Sequence, residues 1–154
     1  MCNRPPNNQG RNSSIMMQNF IFSNSAGGTR ENSCTMRAAD ALERRNLLVM
    51  FAADPGSVQM ADGTNLPIGT VNDEAAEGDP VAVQLLGGAR TLSMVAADGI
   101  AQGNLLVCTT SGMVTTLPSD AGSYVQVGMA MGPAAADESV EVFTCFPRQI
   151  TVTN

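Results

Sequence analysis

The chain has no histidine, and all eight of its basic residues are arginine, so lysine is missing too. Histidine is the commonest general base and lysine the usual amine nucleophile. Their joint absence excludes a Ser/His/Asp triad and most Schiff-base chemistry. Tryptophan is also absent, and five phenylalanines and one tyrosine are the only aromatics. A core must therefore rest on Val, Leu, Ile, Ala and Met. No run of eighteen apolar residues occurs, so no segment suits a membrane-spanning helix. The opening MCNRPPNNQG lacks the apolar centre of a secretory signal. Without one, the Asn12-Ser13-Ser14 sequon is read as chance.

Further absences concern binding sites. There is no GxGxxG and no phosphate loop. Cys2, Cys34, Cys108 and Cys145 stand far apart with no CxxC, which argues against a zinc site. Cys108 and Cys145 lie in apolar runs and are expected to act as small buried hydrophobes. A bridge between them stays open. The densest acidic cluster, Asp73, Glu74, Glu77 and Asp79, is matched later only by Asp137 and Glu138. Loop acids of this kind are ordinarily solvated. No catalytic residue, metal ligand or cofactor is therefore assigned.

What is present is unevenly spread. Residues 1–45 carry six arginines against three acids, a balance of +3. Residues 46–154 carry two arginines against eleven acids, a balance of −9, and together these give the net −6. An acidic body repels phosphates, which argues against nucleic-acid binding. A basic leader on an acidic body suggests that the leader contacts something other than solvent.

Residues 1–33 stand apart in composition. Seven are asparagine, joined by Pro5, Pro6, Gly10, Gly27 and Gly28. Such a segment buries too little apolar surface to offset the entropy of ordering, and it is read as an extended arm. Ile15, Met16 and Met17, then Phe20, Ile21 and Phe22, form its one apolar cluster. Two readings of that cluster stand side by side. It folds back as an extra strand on the chain's own sheet, or it joins a neighbouring subunit by strand addition.

The rest, residues 34–154, is organised by a repeat. Met36–Val49 (MRAADALERRNLLV) and Met94–Val107 (MVAADGIAQGNLLV) share eight identities in fourteen positions at an offset of 58. At an offset of 59, Gly69 meets Gly128, and Val81 and Val83 meet Val140 and Val142. Two copies, about 36–86 and 94–146, predict a pseudo-two-fold domain more than a solenoid. Met36–Val49 alone could pass for a helix, but Gly99 and Gly103 in its twin disfavour one. A turn feeding a short strand suits both copies: Asn46–Phe51 and Asn104–Thr109. Further strands are expected at 57–61 and 113–117, 66–71 and 124–131, and 81–86 and 140–145. Gly87-Gly88 reads as a hairpin turn leading into a bridging strand at 90–95. The fold class is all-β, a small barrel or sandwich of two pseudo-symmetric repeats behind an extended N-terminal arm.

The span Ile68–Phe146 resembles the decoration, or capsid cement, proteins of tailed bacteriophages. The residues that carry the resemblance are Ile68-Gly69-Thr70-Val71, Glu77-Gly78-Asp79-Pro80-Val81-Ala82-Val83, Ala97–Val107, Val127-Gly128-Met129-Ala130 and Glu138–Val142. Their order and spacing weigh more than any one of them. The resemblance implies a non-enzymatic virion protein on the outer face of an icosahedral head. It implies trimers at three-fold and quasi-three-fold positions, with the major capsid protein as partner and no membrane or cofactor. The long Asn-rich leader departs from the short members. Its Arg4, Arg11 and Arg30, with Phe20, Ile21 and Phe22, and Arg37 just beyond it, are the expected contacts with capsid or neighbouring subunit. The Ala-Asp-Gly-Ile-Ala-Gln-Gly-Asn-Leu-Leu pattern also looks like the β-clip modules attached to sugar-processing enzymes, but the separate catalytic domain those accompany is missing. A tail or fibre component is the third reading; no heptad or triple-β repeat supports it.

Overall fold

The computed structural model describes residues 32–88 and 90–153. Ten strands and no helix are found among them: β1 (Ser33–Ala38), β2 (Leu48–Phe51), β3 (Ser57–Met60), β4 (Gly69–Val71), β5 (Pro80–Leu85), β6 (Thr91–Val95), β7 (Leu105–Cys108), β8 (Val114–Thr116), β9 (Gly122–Ala130) and β10 (Ser139–Val152). The first five close a barrel in the order β1-β3-β2-β4-β5. The last five form an open sheet in the order β6-β10-β9-β7-β8. The expected all-β class is what the chain adopts.

The alternation in β5 and β10 sets which face is buried. Val81 and Val83 face inward in β5, and Val140 and Val142 do so in β10. Val49, Val58, Val71, Val81 and Val83 fill the barrel. Met94, Leu106, Val114, Val127, Val140 and Val142 fill the space under the open sheet. Each fully buried side chain of this size contributes roughly 1.5–3 kcal/mol.

The two sheets use one hydrogen-bonding plan. Met36 pairs with Val81 as Met94 pairs with Val140. Leu42 and Ala75 exchange both backbone bonds, and Ile100 and Ala134 do likewise. Gly78 and Asp137 both turn the chain with positive φ, 86° and 65°. The alignment of the NLLV segments, however, slips by one residue. Asn46 donates to the Val71 carbonyl, but its counterpart donating to Ala130 is Gly103, not Asn104. Both Asn46 and Gly103 are left-handed, at 65° and 84°. Leu48 opposes Thr70, and Leu105 opposes Met129. The cause is the turn before the strand, which has three residues between Leu42 and Asn46 and two between Ile100 and Gly103.

The open sheet is open for a visible reason. In the barrel, Arg37 N–H donates to the Gly56 carbonyl at 3.0 Å, and β1 pairs in parallel with β3. The matching carbonyl of the second sheet, Gly112, instead accepts Leu48 N–H at 2.7 Å. Only the bridge Ala96↔Val114 remains of the closure. Strand β2 thus reaches the seam, and Leu48, Ala61 and Leu86 join the core of the second sheet.

Three further expectations are corrected. Gly87-Gly88 is a turn, but no hairpin: β5 bonds to β1 and β4, and β6 to β10. The chain changes sheets there. Strand β1 was not expected as a strand, although it is the counterpart of β6. Strand β10 runs on to Val152, where Arg148–Val152 pairs with Gly122–Gln126 past a bulge.

Candidate functional site

No group of three His, Cys, Asp or Glu residues among the described ones could hold a metal ion. The chemistry on view is that of surfaces. Arg4, Arg11, Phe20, Ile21, Phe22 and Arg30 lie outside the described residues. Arg37 lies on β1 and is exposed, with its Cα opposite Pro80 on one side and Ser57 on the other. It forms no ion pair with a described residue.

The one ion pair among the described residues is Arg44–Asp137 at 3.0 Å. Arg44 also donates to the Asp137 backbone carbonyl. These contacts join the turn ahead of β2 to the turn ahead of β10, one from each half. Aspartate takes here the left-handed position that glycine holds at Gly78, a conformation Asp tolerates better than most residues. Asp62 orders the loop after β3, where Gly63 lies against the Thr109 backbone of the other half. Its carboxylate accepts N–H bonds from Thr64 and Asn65 at 2.9 and 2.8 Å. The Asn65 and Thr64 backbone bonds hold it below the ordinary carboxylate range.

Cys34, Cys108 and Cys145 are free thiols, so the bridge left open between Cys108 and Cys145 is not formed. Burial pushes Cys108 up to about 12, so it is a protonated, inert packing group at neutral pH. Cys145 is only half-buried, because it borders the bulge of β10. The expectation of a buried residue held for Cys108 alone.

An apolar row on the outer face of the second sheet had no place among the expected contacts. Leu105, Met129 and Phe143 are directly opposed across β7, β9 and β10, and all three point outward. Met131 extends this row, and Phe146, 79 % exposed, stands near one end. Alternation in Val140-Glu141-Val142-Phe143 placed the valines correctly; Phe143 then falls on the outer face with Glu141. Comparing the copies position by position would have exposed it, since Phe143 stands where the barrel has Gln84.

A family model described as phage cement protein matches residues 31–145. Among solved structures, the chain is similar to the head fibre gp8.5 N base of bacteriophage phi29. The TM-score is 0.57 and the identity 22 %, over 73 % of this chain and 92 % of that one. The likeness is one of fold. A search of curated proteins gives no match.

Proposed function

The chain belongs to the phage cement protein family, and from that premise we propose that it binds the outer surface of a phage head and ties neighbouring major capsid protein subunits together. A structural role at the phage head comes with the family; the match over residues 31–145 is the observation that carries it. In this reading the protein is a virion component without enzymatic activity, made in the host cytoplasm and added to the head during assembly. It acts as a trimer at three-fold and quasi-three-fold sites.

The physical demands of such a role fit the molecule. Cementing a lattice calls for contact area and multivalency, not for a reacting centre. A small β body supplies rigidity. The Asn-rich leader supplies reach, at the entropic cost any ordering segment carries. Arg4, Arg11 and Arg30 on the leader, with Arg37 on β1, pair with carboxylates of the capsid exterior, and Phe20, Ile21 and Phe22 anchor the arm on a subunit surface.

Removing residues 1–31, which precede β1, tests the arm directly. The truncated protein is expected to keep its β-sheet circular dichroism while its affinity for heads falls at least tenfold in a sedimentation assay. Unchanged affinity would remove the arm from the account. Light scattering that found only monomer, free and head-bound, would remove the trimer.

A further inference from the structure

The outer row of the second sheet is a feature the fold does not need. Leu105, Met129 and Phe143 are 43, 39 and 47 % exposed. At the same register positions the barrel carries Leu48, Thr70 and Gln84. There Leu48 is buried in the seam and the other two are polar. One half thus builds this ladder without an outward apolar row, whereas the other keeps three such side chains at directly opposed positions. Contiguous apolar exposure of this kind marks a surface that something covers.

We propose that the row is the seat of this chain's own segment Ile15–Phe22, with Phe20 and Phe22 laid against Met129 and Phe143. The point where the leader joins the body supports this occupant. The Asn32 carbonyl accepts Leu85 N–H at 2.7 Å, and the Asn32 side chain donates to the Gly88 carbonyl at 3.5 Å. Neighbouring Gly87 lies against Phe146, so close that a Cβ there would sit 3.2 Å from the ring. Phe146 is three residues along β10 from Phe143, at the bulge, so their backbones are at most about 10 Å apart. The leader therefore enters the body beside the row.

The tether has a matching length. Nine residues, Ser23 to Glu31, separate Phe22 from Asn32, and they include Gly27, Gly28, Ser23 and Ser25. A flexible linker of this size spans roughly 15–18 Å on average and at most about 30 Å. A segment so tethered reaches an effective concentration in the millimolar range, which a second copy in dilute solution does not. In an extended chain Phe20 and Phe22 fall on one side, as two anchors on one face require. Charge agrees: Arg11 and Arg30 bracket the segment, and Glu141 lies two residues from Phe143 on the same outer face. With its apolar part seated, the arm keeps Arg4 and Arg11 on a length of chain that still reaches outward.

The test uses the full chain and no capsid, so its outcome is independent of the cement reading. Met129 is replaced by photoreactive p-benzoylphenylalanine in an equal mixture of unlabelled and nitrogen-15-labelled protein. After irradiation and tryptic digestion, cleavage at Arg11 and Arg30 releases residues 12–30 as one peptide. The cross-link from position 129 is expected on that peptide, within one isotope, and at least tenfold weaker in F20S/F22S. Mixed-isotope cross-links would assign the row to a second copy and overturn the proposal. So would cross-links absent from residues 12–30, or a yield unchanged in F20S/F22S.

Discussion

The barrel closes its circuit with two parallel pairs, Arg37↔Ser57 and Ala38↔Val58, and the second sheet has one, Ala96↔Val114. The missing pair is not lost stability, because the bond it would have made goes elsewhere. The Gly112 carbonyl, counterpart of Gly56, accepts Leu48 N–H from the other half. A buried carbonyl must find a partner, and here the partner comes from outside the sheet. The difference teaches how two similar ladders become one body: one is completed by itself, and the other is completed by the first.

Leu48 is therefore the sharpest place to break that relation. It is fully buried and belongs to the core of the second sheet while standing on a strand of the barrel. Leu48→Ala is expected to cost about 3 kcal/mol and to move a single unfolding transition in urea. Two separate transitions, with only one displaced, would show that the halves fold apart.

The glycines where the chains approach most closely come next. A Cβ on Gly69 would strike the Gln84 carbonyl oxygen, and one on Gly128 would strike that of Phe143. Both clashes are with backbone, which cannot swing aside. Gly69→Ala and Gly128→Ala should each cost about 2 kcal/mol, and nearly the same in each half. A large cost in only one half would mean the shared plan is less alike than its bonds suggest.

Smallest is the rim. The Arg44–Asp137 pair bridges the halves, but its side chains are 42 % and 78 % exposed. Screening leaves such a pair worth about 0.5 kcal/mol. Arg44→Ala should lower the urea midpoint slightly at low salt and by less in 1 M salt, where the screening length falls to about 3 Å. An effect undiminished in salt would point to the backbone carbonyl contact instead.

Much of this plan was legible in the residues. The alternating valines of β5 and β10, and the acidic turns before them, marked strands and their inward faces. Strand β1 escaped because its first residues continue the polar leader, whereas its counterpart β6 follows the visible break at Gly87-Gly88. The extension of β10 escaped because Pro147 and Arg148 resemble an ending. Sequence identity also misled at NLLV, where matching letters sit one residue out of structural register. Hydrogen bonding follows the left-handed turn at Asn46 and Gly103, and that turn differs in length. The outer row escaped for a related reason: period-two patterning identifies a buried face but says nothing of why Phe143 and Met129 occupy the exposed one.

The most direct measurement of the central claim is co-sedimentation of the full-length protein with purified phage heads, expanded and unexpanded. Saturable pelleting with expanded heads, and far less with unexpanded ones, is the predicted result. Protein that stays in the supernatant with both would contradict it.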